Sequence, residues 1–88
     1  MKTFRYRLYT EDLNRKTLAR LFDRHFNSYS VQEQKGVWNG KAEKSLVFEI
    51  ICDEREALIL PYIAEDIKLH NKQEAVLITT EQITEVLI

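Results

Sequence analysis

Apolar and polar residues change rhythm several times along this chain. From Phe4 to Thr10 they alternate, with Phe4, Tyr6 and Leu8 on one side and Arg5, Arg7 and Tyr9 on the other. A period of two predicts a strand with one face on a core. Glu11-Asp12-Leu13-Asn14 then offers side-chain acceptors for a helix start. Leu18, Leu21, Phe22, His25 and Phe26 recur at separations of three and four. They predict a helix ending near Asn27 and Ser28, with Arg15, Lys16, Arg20 and Arg24 turned mainly to water.

A second extended stretch runs from about Tyr29 to Trp38, and Asn39-Gly40 follows it. That pair tolerates the positive φ angles of a two-residue type I′ turn and predicts a hairpin. The returning strand, Ala42 to Cys52, puts Leu46, Phe48 and Ile50 on one face and Val47, Glu49 and Ile51 on the other. Gly36 marks a candidate bulge. Asp53-Glu54-Arg55-Glu56 reads as a capping box. Ala57, Leu60, Ile63, Ala64 and Ile67 make a helical stripe that Pro61 interrupts, which predicts either a bent helix or one reset to begin at the proline. Ala75 to Thr79 is apolar and β-branched enough for an inner strand, and Ile83 to Ile88 predicts a short fifth strand.

The predicted order is strand, helix, strand, strand, helix, strand. Two crossovers and one hairpin are most simply satisfied by an α+β ferredoxin-like sandwich, a βαββαβ single domain over residues 1–88. Both helices then cover one sheet face, and strands one and three lie inside, flanked by four and two. The other face carries Arg5, Arg7 and Tyr9 beside Val47, Glu49 and Ile51, a mixed surface suited to contact with protein.

Composition narrows the function classes. The 88 residues are 44% hydrophobic, with four Phe, four Tyr and one Trp, enough for one small core. Such a size makes oligomerisation a serious expectation. Thirteen Lys and Arg oppose fourteen Asp and Glu, so net charge supplies no general pull toward nucleic acid or anionic lipid. Apolar runs such as Ala57-Leu58-Ile59-Leu60 are too short to span a bilayer, and the start lacks the apolar core of a signal peptide. A lone cysteine, Cys52, fits a reducing compartment, and the cytoplasm is the expected location.

Gly36-Val37-Trp38, then Glu43-Lys44-Ser45-Leu46-Val47-Phe48-Glu49-Ile50, and later Gln73-Glu74-Ala75-Val76-Leu77 form an ordered set of motifs. In this the chain resembles a family of small uncharacterised bacterial domains with a Gly-x-Trp, a Glu-x-Ser opening the next strand and a Gln-Glu-x-Val-Leu approach to the last long strand. Ala75 stands where that family often has serine. The resemblance implies a shared fold and carries no activity with it.

Polar residues give several candidates without a strong chemical motif. Trp38, Asn39, Glu43 and Ser45 gather around the hairpin, either as a docking site or as ordinary turn and cross-strand packing. Arg5, Arg7 and Tyr9 suggest a single-stranded nucleic-acid platform, but the third strand lacks the matching aromatics. His25 and His70 have no companions at metal-ligand spacing, so no metal or cofactor is expected. Cys52 shares the inward series of its strand and is expected to be buried and inert. Glu11, Asp12, Glu43 and Glu49 have no spacing that assigns them acid–base roles. A phosphate-binding glycine loop is absent.

The favoured expectation is a non-enzymatic protein-interaction or homo-oligomerisation domain. Its contact residues are Arg5, Arg7, Tyr9, Trp38, Val47, Glu49 and Ile51 on the sheet and hairpin, with Val86-Leu87-Ile88 offering edge pairing. The first alternative is a small-molecule or enzymatic site between the long hairpin and the first helix, lined by Tyr9, Trp38 and Glu43. The second is single-stranded nucleic-acid binding.

Overall fold

The computed structural model describes residues 2–88. Strands β1 (Thr3–Glu11), β2 (Ser30–Trp38), β3 (Lys41–Cys52) and β4 (Leu77–Ile83) form one sheet in the order β2-β3-β1-β4, and every neighbouring pair is antiparallel. Helix α1 (Arg15–Asp23) follows β1, and α2 (Leu60–Asn71) follows β3 through a 3-10 turn at Glu56–Ile59. The α+β class and the expected flanking of strands one and three by four and two are both present.

The alternation of β1 and β3 places the core. Leu8, Leu46, Phe48, Ile50 and Cys52 are buried, together with Leu18, Leu21 and Phe22 of α1 and Ile63, Ala64 and Ile67 of α2. Phe22 stacks on Phe48, with ring centroids 4.3 Å apart and planes 8° from parallel. Tyr29 closes the edge of this stack and donates its hydroxyl to Asp23 at 2.5 Å. Burial and that contact push its phenol up to about 12.

Local signals are realised unevenly. Asn39 and Gly40 both have positive φ, 50° and 77°, and Trp38 pairs with Lys41 across them, as a type I′ hairpin requires. Asp53 and Glu56 form the reciprocal capping box: the Glu56 amide donates to Asp53 at 2.8 Å, and the Asp53 amide donates to Glu56 at 3.4 Å. This box heads the 3-10 turn, and α2 is reset with Pro61 in its first turn, where the missing N–H costs nothing.

Four expectations are corrected. Gly36 pairs one-to-one with Glu43 in an unbroken ladder, so no bulge forms there. Asn14 heads α1 in the left-handed region without capping it; its amide is drawn instead toward α2. Helix α1 stops at Asp23, and a tight turn built on Phe22 carbonyl contacts still buries Phe26 while leaving His25 exposed. Among the described residues there is also no fifth strand: residues 84–88 carry no strand, because β4 itself runs on to Ile83. Its pairing with β1 from Tyr9↔Leu77 to Thr3↔Ile83 draws the polar Thr80–Gln82 into the sheet, where a turn would have left the start of β1 unpaired on that side.

Candidate functional site

The β2–β3 hairpin is longer than the strand beside it. Pairing of β1 with β3 ends at Glu11↔Ser45, while β2 and β3 continue to Trp38↔Lys41. Beyond the end of β1, the turn end of the hairpin therefore faces the loop that joins α2 to β4. Between them lies a cleft of about 540 Å³. Tyr9, Thr10 and Glu11 come from β1; Gly36, Val37, Trp38, Glu43 and Ser45 from the hairpin; and Lys72, Gln73, Glu74, Ala75 and Leu77 from the last connection.

All three motif segments that carry the sequence resemblance thus contribute walls to one cavity. Tyr9, Trp38 and Glu43 meet there as the alternative small-molecule reading expects. The opposite wall differs from that expectation, since α1 supplies none of it and residues 72–75 do. The cause is the short β1: its end, not the helix after it, lies between the hairpin and the loop.

A polar relay fixes the floor. Asn71, at the end of α2, is 7% exposed and donates to the Thr10 hydroxyl at 3.2 Å and to Gln73 Oε1 at 2.8 Å. Its own Oδ1 accepts from Asn14 Nδ2 at 3.0 Å, and Asn14 also donates to the His70 carbonyl at 3.1 Å. Gln73 accepts from the Glu11 amide at 3.3 Å and donates to the Ala75 carbonyl at 2.7 Å. Lys72, left-handed at φ 53°, ends α2 and turns the chain into this arrangement. Buried amides of this kind must be satisfied, and here their partners tie β1, α1 and the α2–β4 loop together. Sequence reasoning missed Asn14, Asn71 and the site role of Gln73, because amide side chains give no periodic signal.

The bare sheet face is a second candidate. Arg5 and Arg7 alternate along β1, with Glu49 of β3 on one side and Glu81 of β4 on the other. Arg5 Nη1 donates to Glu81 at 2.9 Å and Arg7 Nε to Glu49 at 3.0 Å. Cross pairs at 3.2 Å (Arg5 to Glu49) and 3.6 Å (Arg7 to Glu81) complete a quartet, although the buried Arg5 Nε is not aligned for a hydrogen bond. The Arg5 guanidinium is pushed above its ordinary value, chiefly by the Glu81 hydrogen bond. Around the quartet, Ile51 and Leu77 are exposed, whereas Val47 is only 6% exposed and presents little surface. Val86, Leu87 and Ile88 stand in the open beyond β4.

The remaining candidates separate. Asp12 is clamped by Arg15 through two contacts of 2.6 Å, which hold its carboxyl below the usual range, and Arg15 also reaches Glu33 of β2. Glu11 and Glu43 line the cleft while Glu49 lies in the quartet, so the four carboxylates do not converge. Burial, reinforced by Glu56 and Asp53, pushes the Cys52 thiol up to about 11. That is far from the thiolate a nucleophile needs. Among the described residues, His25 and His70 are exposed, no group of three or more His, Cys, Asp or Glu is gathered for a metal, and no helix is long and apolar enough to cross a membrane.

Comparison with known proteins finds no matching family model and no matching curated protein. Among solved structures, the chain is similar to CPII, a nitrogen regulatory PII-like protein from Thiomonas intermedia K12 bound to ADP, AMP and bicarbonate. The TM-score is 0.69 at 11% identity, covering 100% of this chain and 98% of that one. A de novo designed protein, Foldit4, is similar at TM-score 0.50 and 18% identity, over 97% of this chain and 98% of the other. At these identities the likeness shows the fold: a small α+β sandwich of two helices on a four-stranded antiparallel sheet.

Proposed function

We propose that this protein is a non-enzymatic interaction domain that assembles with further copies of itself through the bare sheet face and the free edge of β4. The observation that carries this reading is the state of the bare face. Its charges are already neutralised among Arg5, Arg7, Glu49 and Glu81, and apolar Ile51 and Leu77 remain exposed beside them. A surface whose ions are paired in advance loses less on burial than one with free charges. An equal set of positive and negative groups also suits the self-complementary contact of a symmetric dimer, or the repeated contact of a ring. The outer side of β4 is unpaired in the sheet, and the exposed Val86–Ile88 continues from it, so a neighbouring strand can extend the ladder. The same pairing weakens the nucleic-acid alternative, since the arginines that would meet phosphate are engaged.

A second reading is favoured by a separate observation: the convergence of the three motif segments on the 540 Å³ cleft supports its use as a small-molecule site. The regulatory, ligand-bound character printed for the Thiomonas protein supports coupling the two readings, with assembly as the output and cleft occupancy as the input.

Sedimentation of the intact chain tests the first reading. A mass of two or more chains is expected, falling to one chain when Ile51→Arg and Leu77→Glu are combined. A one-chain mass across the accessible concentration range overturns self-assembly.

A further inference from the structure

We infer that the cleft selects a small organic cation with a flat apolar body, such as an aryl or alkyl amine or guanidine. This deepens the second reading above and rests on it.

Three carboxylates, Glu11, Glu43 and Glu74, line the cavity against a single cation, Lys72, a formal excess of two negative charges. Of the hairpin lysines Lys35, Lys41 and Lys44, none is part of the lining, although Lys41 pairs with Trp38 at the turn. Lys35 and Lys44 oppose each other across the ladder at positions alternate to Glu43 and Gly36, and neither lines the cleft. A nucleoside diphosphate, the kind of ligand carried by the Thiomonas protein, would bring its phosphates into a negative field with one lysine to receive them. An ammonium or guanidinium group meets the opposite situation.

The aromatic lining adds to the selection. Trp38, 69% exposed at the hairpin, and Tyr9 at the end of β1 both contribute to the walls. Indole and phenol faces attract cations through their quadrupoles and cover flat apolar groups without demanding a particular ring. Gly36 also lines the cleft, and a Cβ added there would meet no atom within 4 Å, so a larger side chain can be placed at this position without a clash. The floor is held in place before any ligand arrives, because Asn71 and Gln73 are anchored by their mutual hydrogen bond.

Trp38 is the only tryptophan, so its emission reports on the cleft alone. The intact protein would be titrated with 2-phenylethylamine, with 3-phenylpropanoate as a similar body of opposite charge, and with ADP. The amine is expected to shift or quench the emission with an affinity about tenfold above that of the carboxylate, from the summed effect of a few screened charges. Glu43→Gln combined with Glu74→Gln should abolish that preference while the fold and the binding of the phenyl body persist. Tighter binding of ADP or the carboxylate overturns the cation assignment and leaves the cleft standing as a binding site. Silence of Trp38 toward all three ligands, with Gly36→Val equally without effect on its emission, overturns the cleft reading and the cation assignment together.

Discussion

The two faces of this sheet are built from alternate residues of the same strands, yet they hold different kinds of interaction. On the helix side, Leu8, Leu46, Phe48 and Ile50 are at most 1% exposed, and Phe22 lies flat on Phe48. One residue along, Arg7, Glu49 and Ile51 meet no helix, and ion pairs between part-exposed side chains replace packing. The first face commits its surface area to folding. The second has surface left over, and its groups are arranged so that covering them leaves no charge unpaired. A sheet with helices on only one side thus separates packed surface from uncovered surface, with a one-residue register as the divider.

The strongest way to break that division is to show that both faces matter equally to folding. Phe48→Ala empties the space beneath the Phe22 stack and is expected to cost about 3–5 kcal/mol, much of the stability of so small a domain. Ile51→Ser, three positions away and on the other face, is expected to cost less than about 1 kcal/mol. Urea denaturation of both variants, at concentrations where the chain is not assembled, measures the contrast. Similar losses would mean that the bare face is not spare surface.

The floor of the cleft sits between these extremes, being polar and buried at once. Asn71→Leu removes the donor to Thr10 and Gln73 and the acceptor for Asn14, leaving polar partners without a replacement. The expected cost is about 1–3 kcal/mol. A structural effect alone would lower the denaturation midpoint and stop there. If the relay also positions the floor, the amide signals of Glu11 and Gln73 should broaden or move in NMR spectra recorded far below the midpoint.

How much of this was legible depended on whether a residue's role was local. The Phe4–Thr10 alternation, the Asn39-Gly40 turn and the Asp53–Glu56 box are each decided by steric or hydrogen-bond demands within a few residues, and each was read from the sequence alone. Strand order followed from connection rules that act on elements. The end of β4 was not legible, because Thr80-Glu81-Gln82 is polar and joins the sheet only through its pairing with Phe4–Tyr6. Asn14 misled for a similar reason: its side chain suits a helix cap, and a partner 57 residues away in sequence claims it. Tyr9, Trp38 and Glu43 are legible as a lining from the hairpin signal, whereas the wall opposite them depends on β1 ending short of the hairpin, which no local pattern encodes.

The smallest expected effect on folding is also the one that tests the bare face most directly. Glu49 Oε1 lies 3.2 Å from Arg5 Nε and 3.0 Å from Arg7 Nε, and the three side chains are 31–39% exposed. Water reaches all of them, so exchanging the carboxylate for an amide of the same shape should cost the isolated chain no more than about 1 kcal/mol. Covered by a second copy, the same site has lost that water. Glu49→Gln then leaves two arginines facing Glu81 alone, and an excess charge in a dry interface is far more costly than one in solvent. The variant should therefore keep its denaturation midpoint nearly unchanged while its association weakens by tenfold or more, about 1.4 kcal/mol. Sedimentation across a dilution series reads the second quantity, and urea denaturation reads the first. Equal, small changes in both would place the quartet in water in every state of the protein, and the bare face would then have no role in assembly.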